Sequence, residues 1–113
     1  MKQCIQLLIF LLLSCITISC ASRKSEPVKG KTFTAKNEAV KQGEQVFMKY
    51  CQKCHPAGEA GLGPALNANP APAFIKRFQM RHGLGVMPGF TQDEISKEDL
   101  HHITDYLRAL KQY

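Results

Sequence analysis

Near the middle of the chain, Cys51-Gln52-Lys53-Cys54-His55 brings two thiols and an imidazole within five residues. Positions i, i+3 and i+4 of a helix share one face, so on a helix Cys51, Cys54 and His55 would all point the same way. Two thiols at that spacing can add to the vinyl groups of one porphyrin, while the imidazole reaches its iron. This is the physical sense of C-x-x-C-H as a site of covalent c-type haem attachment. Pro56 follows at once and turns the chain out of the helix. Other chemistries use the same residues. A thioredoxin-like redox pair needs a strand before the motif and a βαβ sheet around it, and neither is visible. A structural zinc could recruit His101 and His102, but adjacent histidines do not match the H-x₃₋₅-H spacing. A structural disulfide between Cys51 and Cys54 is the remaining alternative.

Iron in a porphyrin has a sixth position, and its occupant decides the chemistry. Methionine opposite histidine raises the reduction potential, whereas an open site invites oxygen or peroxide chemistry. The candidates are Met48, Met80, Met87, His82, His101 and His102. Met48 lies three residues before Cys51, on the same side of the porphyrin as His55. His101 and His102 fall where an apolar stripe already fills the inner face of a helix, so they are read as exposed. Met87 sits in Gly83-Leu84-Gly85-Val86-Met87-Pro88-Gly89-Phe90, an irregular loop able to carry a thioether over the distal face. Met87 is the expected distal ligand, with Met80 and His82 as its rivals.

The elements that must position these groups are helical. Ala39, Val40, Gly43, Val46, Phe47 and Tyr50 recur at helical spacing and lead into the motif, with Asn37 as N-cap. Ser96-Lys97-Glu98-Asp99 opens a last helix like a capping box, with Asp in the place of Glu or Gln. Leu100, Ile103, Tyr106, Leu107 and Leu110 form its stripe. Between them Ala73 to His82 predicts a third helix with Phe74, Ile75 and Phe78 inward, stopped by Gly83. No alternating run suggests a strand, so the expected class is all-α.

The chain is 113 residues long, with a formal charge of +6, five cysteines and a charged fraction of 21%. These figures exclude a multidomain enzyme and a polytopic membrane protein, and they argue against wholesale disorder. The start is different from the rest. Met1-Lys2-Gln3 precedes Ile5 to Leu13, an apolar run shorter than the roughly 20 residues of a membrane-spanning helix, which is the layout of an export signal. It ends at Leu12-Leu13-Ser14-Cys15 and Thr17-Ile18-Ser19-Cys20, both of which resemble the lipobox of bacterial lipoproteins. Cys20 is the expected lipidation site and Cys15 the alternative; a plain cleaved signal or an uncleaved anchor is the blander reading. The expected division is a signal at 1–19, a flexible tether at 20–35 rich in Lys, Ser, Pro and Gly, and a folded domain at 36–113. That domain is only 78 residues, a size that seldom stabilises itself by apolar burial alone.

With these residues assembled, the chain from about Lys41 to Tyr113 resembles a small class I cytochrome c. Gly43 and Phe47, the Cys51–His55 motif, Gly63-Pro64-Ala65-Leu66, Met87-Pro88 and Tyr106-Leu107 carry the likeness. The resemblance implies a cytochrome c-like fold of three to four helices around one covalently bound haem c. It implies a close crossing of the first and last helices, with Gly43 meeting Tyr106. It also implies that the backbone carbonyl of Pro64 accepts a hydrogen bond from the proximal His55, the kind of outer contact that orients a metal ligand. The 31 residues between His55 and Met87 leave little room for an extra distal loop, so one haem edge should be more exposed than in longer cytochromes.

The function expected is that of a monohaem electron carrier outside the cytoplasm, not an enzyme. Its iron would cycle between Fe(III) and Fe(II) with both axial ligands retained. The alternatives are a relay subunit of a larger exported or membrane-bound redox complex, and an enzymatic or gas-sensing haem protein with a labile sixth ligand. Loss of 1–19 removes only Lys2 among the charges, leaving +5 before the haem carboxylates count. A basic surface steers a carrier toward acidic docking patches on donor and acceptor proteins; Lys49, Lys53, Lys76, Arg77 and Arg81 are the candidates, ordinary solvated charge being the alternative. No motif supports nucleic-acid binding. The expected location is the periplasmic side or cell surface, anchored to membrane as a lipoprotein. Cys4 and Cys15 would leave with the signal, Cys20 would take lipid, and Cys51 and Cys54 would hold haem, so no cysteine remains for a disulfide.

Overall fold

A computed structural model of the chain describes residues 33–112, together with Met1, Gln3, Ile5 and Gln6. Cys4, Cys15 and Cys20, and nearly all of the signal and tether expected at 1–35, lie outside the described residues. Among the described residues from 33 onward three α-helices follow in order: α1 at Glu38–Tyr50, α2 at Ala73–His82 and α3 at Lys97–Leu110, with a 3₁₀ turn at Pro56–Gly58. Among the described residues there is no strand, only an isolated bridge between Leu84 and Met87. No helix there is long and apolar enough to cross a membrane. Among the described residues the fold is all-α, as the sequence predicts.

Both long helices begin at side-chain caps. Asn37 Oδ1 accepts from the Val40 N–H at 2.9 Å. Ser96 Oγ accepts from the Asp99 N–H at 3.0 Å and donates to Asp99 Oδ2 at 2.9 Å. Each bond satisfies an amide that a helix start leaves without a partner. The buried face of α1 is Val40, Gly43 and Phe47, at the three-and-four spacing of a helical stripe. On α3 the stripe is broader, running from Leu100 through Ile103, Tyr106 and Leu107 to Leu110.

The two stripes meet at Gly43. A Cβ there would collide with the carbonyl of His102 and come within 3.0 Å of Tyr106 Cβ. Only the missing side chain lets α1 and α3 approach this closely. One turn further along, the rings of Phe47 and Tyr106 pack with centroids 5.2 Å apart, and Phe33 meets the other side of Tyr106 edge-on. Burial, and then the charge of Glu44, pushes the Tyr106 hydroxyl up to about 12, so it stays neutral in the core.

The third helix forms where the sequence predicts it but turns differently. Phe74 and Phe78 are 63% and 61% exposed, and Ile75 is also at the surface. The inward side chain is Met80. Phe78 stacks on His82 one turn away, with centroids 4.2 Å apart. Its C-terminus is Gly83, at φ 76°, whose N–H donates to the Gln79 carbonyl at 2.7 Å.

Candidate functional site

Helix α1 stops at Tyr50, so the motif is not helical throughout. Its turn nevertheless keeps helical bonding: the Cys54 and His55 amides donate to the Cys51 carbonyl at 3.1 and 2.9 Å. Cys51, Cys54 and His55 therefore still face one way, and all three line one cavity. Neither thiol is in a disulfide. The chain then folds back sharply. Ala57 takes a left-handed conformation (φ 53°), with its N–H donating to Gln52 Oε1 at 2.8 Å, and Gly58 follows at φ 75°. A non-glycine residue there is uncommon and signals a tightly determined turn.

The returning segment cradles the imidazole. The Gly63 N–H donates to the Cys54 carbonyl at 3.0 Å. Gly63 lies so close to the His55 ring that a Cβ would overlap its Cε1. Next to it, the Pro64 carbonyl oxygen lies 2.8 Å from His55 Nδ1. A carbonyl can only accept, so Nδ1 carries a proton, and in the neutral imidazole the lone pair is then on Nε2. His55 is a buried imidazole held in one tautomer.

Across the cavity stands a loop built to hold one residue. Leu84 and Met87 exchange backbone hydrogen bonds at 3.1 and 3.0 Å around Gly85, which takes φ 60°. Gly83 lies against the Met87 carbonyl and Gly89 against the end of α2, each too close to admit a Cβ. The Phe90 N–H donates to the Met80 carbonyl at 2.9 Å. Arg81 closes the structure: its guanidinium donates to the carbonyls of Phe90 at 2.6 Å and Ile95 at 2.9 Å, and to Gln92 Oε1 at 3.2 Å. Arg81, an expected docking-rim cation, is thus also a clamp that ties the Met87 loop to α2.

The cavity between these walls has a volume of about 280 Å³. Its lining is chiefly apolar, with Phe47, Leu66, Phe90, Ile103 and Leu107 contributing. Both Met87 and Met80 line it, whereas His82, Met48, His101 and His102 do not. His82 is occupied by Phe78, through the ring stack and a 2.9 Å contact of Nδ1 with the Phe78 carbonyl. Burial, reinforced by the neighbouring Cys54, pushes the Cys51 thiol up to about 11, so it remains protonated at neutral pH. At the mouth, Leu62, Leu84 and Val86 are 78%, 66% and 98% exposed while still lining the cavity.

Two unbridged thiols, an imidazole with a free Nε2, a thioether and an apolar chamber are the donor set and surroundings that a covalently attached haem requires. The residues present fit that group. Sequence reasoning missed two parts of this setting. The Arg81 clamp leaves no signal, because two of its three partners are backbone carbonyls 9 and 14 residues away. The polar edge formed by Asn69, Lys76 and Gln79 has no periodicity to betray it.

The model of the family described as cytochrome c oxidase, cbb3-type, subunit III, matches residues 38–107, well over half of the chain. The match runs from the first residue of α1 to Leu107 on α3 and takes in every cavity-lining residue named above. No curated protein and no solved structure matches.

Proposed function

The chain belongs to the family of the cbb3-type cytochrome c oxidase subunit III, and from that premise we propose that it is a single-haem electron-transfer protein with histidine and methionine as axial ligands. A cytochrome c domain implies covalently bound haem c and haem-based electron transfer. When bound, the haem supplies one-electron exchange between Fe(III) and Fe(II). The residues of this chain do the rest. Cys51 and Cys54 hold the group covalently, and His55 offers Nε2 as the proximal ligand while Pro64 fixes its tautomer through Nδ1. Met87 offers the distal sulfur from a loop that Arg81 and the glycines keep in place. Once filled, the apolar chamber would exclude water around the group, which favours a low-dielectric site and a raised potential. The proposal is a carrier and not an enzyme.

The observation that carries this reading is that Cys51, Cys54, His55 and Met87 line one cavity. Its test is covalent attachment: the matured protein should gain the mass of one haem, and Cys51→Ala with Cys54→Ala should abolish it. A protein that matures with no bound haem, or with two, would contradict the proposal. Export, a tether at 20–35 and acylation of Cys20 belong to the same proposal, and mass spectrometry of the mature N-terminus checks them.

The family description favours a second reading, in which the domain is the relay subunit of a larger membrane-bound redox complex. In both readings the partners are redox proteins met through electrostatics, with Lys53, exposed within the motif, as one contributing cation. Gentle solubilisation of native membranes separates the two: a free carrier elutes alone, whereas a relay subunit co-migrates with a larger complex.

A further inference from the structure

The cavity is apolar except along one edge, where Asn69, Lys76 and Gln79 line it. Lys76 and Gln79 are three residues apart on α2 and so share a face. Lys76 Nζ donates to the backbone carbonyl of Asn69 at 3.2 Å, which joins the third residue to the other two. The group is under-used. An ammonium has three donors, and that bond is the one hydrogen bond the Lys76 side chain makes among the described residues. No carboxylate of the described residues pairs with it in an ion pair. Asn69 spends its Oδ1 on the Ala71 N–H, and neither its amide nitrogen nor the Gln79 side-chain amide has a partner among the described residues.

The charges around Lys76 sharpen the point. The groups facing it are Lys111 and Arg108, at the C-terminal end of α3, and they are cations; burial first, and then these charges, hold its pKa below the usual lysine value. A half-buried ammonium beside two other positive charges is costly unless an anion arrives. Unspent donors and uncompensated positive charge at the rim of an apolar chamber describe a seat for a carboxylate.

We propose that Lys76, with the side-chain amides of Asn69 and Gln79, binds a propionate carboxylate of the haem. This rests on the haem reading above and adds the orientation of the group: the macrocycle goes into the apolar chamber and a propionate toward α2. Charge-assisted bonds of this kind are shorter and stronger than neutral ones, so the polar edge would fix the rotation of the ring plane as well as neutralise Lys76.

The test is the resonance Raman spectrum of the matured holoprotein, in which the propionate bending band rises with hydrogen bonding to the carboxylate. Lys76→Met should keep the haem covalently attached, lower this band and lower the midpoint potential. Lys111→Gln removes a nearby charge that does not line the cavity; it should lower the potential and leave the band where it is. An unshifted band in Lys76→Met, or an equal shift in Lys111→Gln, would overturn the assignment. If Lys76→Met fails to mature, Gln79→Leu is read in the same way, a lowered band supporting the seat and an unshifted one contradicting it. Absence of covalent haem from the parent protein would instead defeat the haem reading, so the two failures are distinct.

Discussion

At the scale of single residues, the two methionines of the cavity separate the roles of ligand and filler. Met87 stands on a loop held by backbone bonds and glycine contacts, while Met80 is 5% exposed and packed into the core of α2. A methionine in a core is ordinarily adaptable packing. Replacing Met87 with Ala should therefore leave the haem attached, lower the midpoint potential and allow the reduced protein to bind CO. Replacing Met80 with Ala should spare the potential and cost about 2–5 kcal/mol of stability, the range for truncating a buried methionine. Denaturant unfolding and redox titration of the pair decide between them; exchanged phenotypes would transfer the ligand role to Met80. The His55 side needs no such choice, because the Gly63 backbone and the Pro64 carbonyl confine the ring from two directions.

At the scale of elements, one helix crossing and one loop carry the architecture. Gly43 lets α1 lie against the His102 backbone, and a larger side chain has nowhere to go, since the obstacle is main chain. Gly43→Val should force the helices apart and destabilise the holoprotein by more than the roughly 1–3 kcal/mol of ordinary overpacking, seen as a lower midpoint in urea. Arg81 acts on the other element. Arg81→Gln removes three hydrogen bonds that join α2 to the segment after Met87. It should loosen the distal ligand, so that CO or imidazole competes for the iron more readily while covalent attachment is unaffected. A ligand-binding profile identical to the parent would show that the clamp is dispensable.

Much of this level was legible in the sequence where the signal is local. Asn37 and Ser96 cap the helices they were expected to cap, and the 51–55 spacing carries its meaning within one turn. The inner face of α2 was misjudged. Periodicity finds an apolar stripe in Phe74 and Phe78 but cannot say what covers it, and here the core takes Met80 while Phe78 lies against His82. The meeting of Gly43 with Tyr106 was accessible through family likeness and not through pattern, because it depends on how two distant helices cross.

At the scale of the whole molecule, the domain is small and its core is thin. Its fully buried large side chains are Phe47, Ile95 and Ile103, and two of these, Phe47 and Ile103, also wall the cavity. At the cavity mouth Leu62, Leu84 and Val86 are still exposed, and a stabilisation of about 25 cal/mol per Å² of apolar surface comes only when some bulk fills the chamber and covers them. The haem would supply that bulk and, through Cys51 and Cys54, a covalent staple. The chain without haem should accordingly show weak helical circular dichroism and a broad unfolding transition, and the matured form a strong signal and a cooperative one. An apo form as helical and cooperative as the holoprotein would mean that the three helices stand without the cofactor.

The most direct test of the central claim is a redox titration of the purified holoprotein followed by its absorption spectrum, with CO added to the reduced form. A single-haem carrier ligated by His55 and Met87 gives one reversible one-electron transition, a low-spin spectrum in both states and no CO adduct at neutral pH. Ready CO binding, a high-spin spectrum or a second redox transition would contradict it.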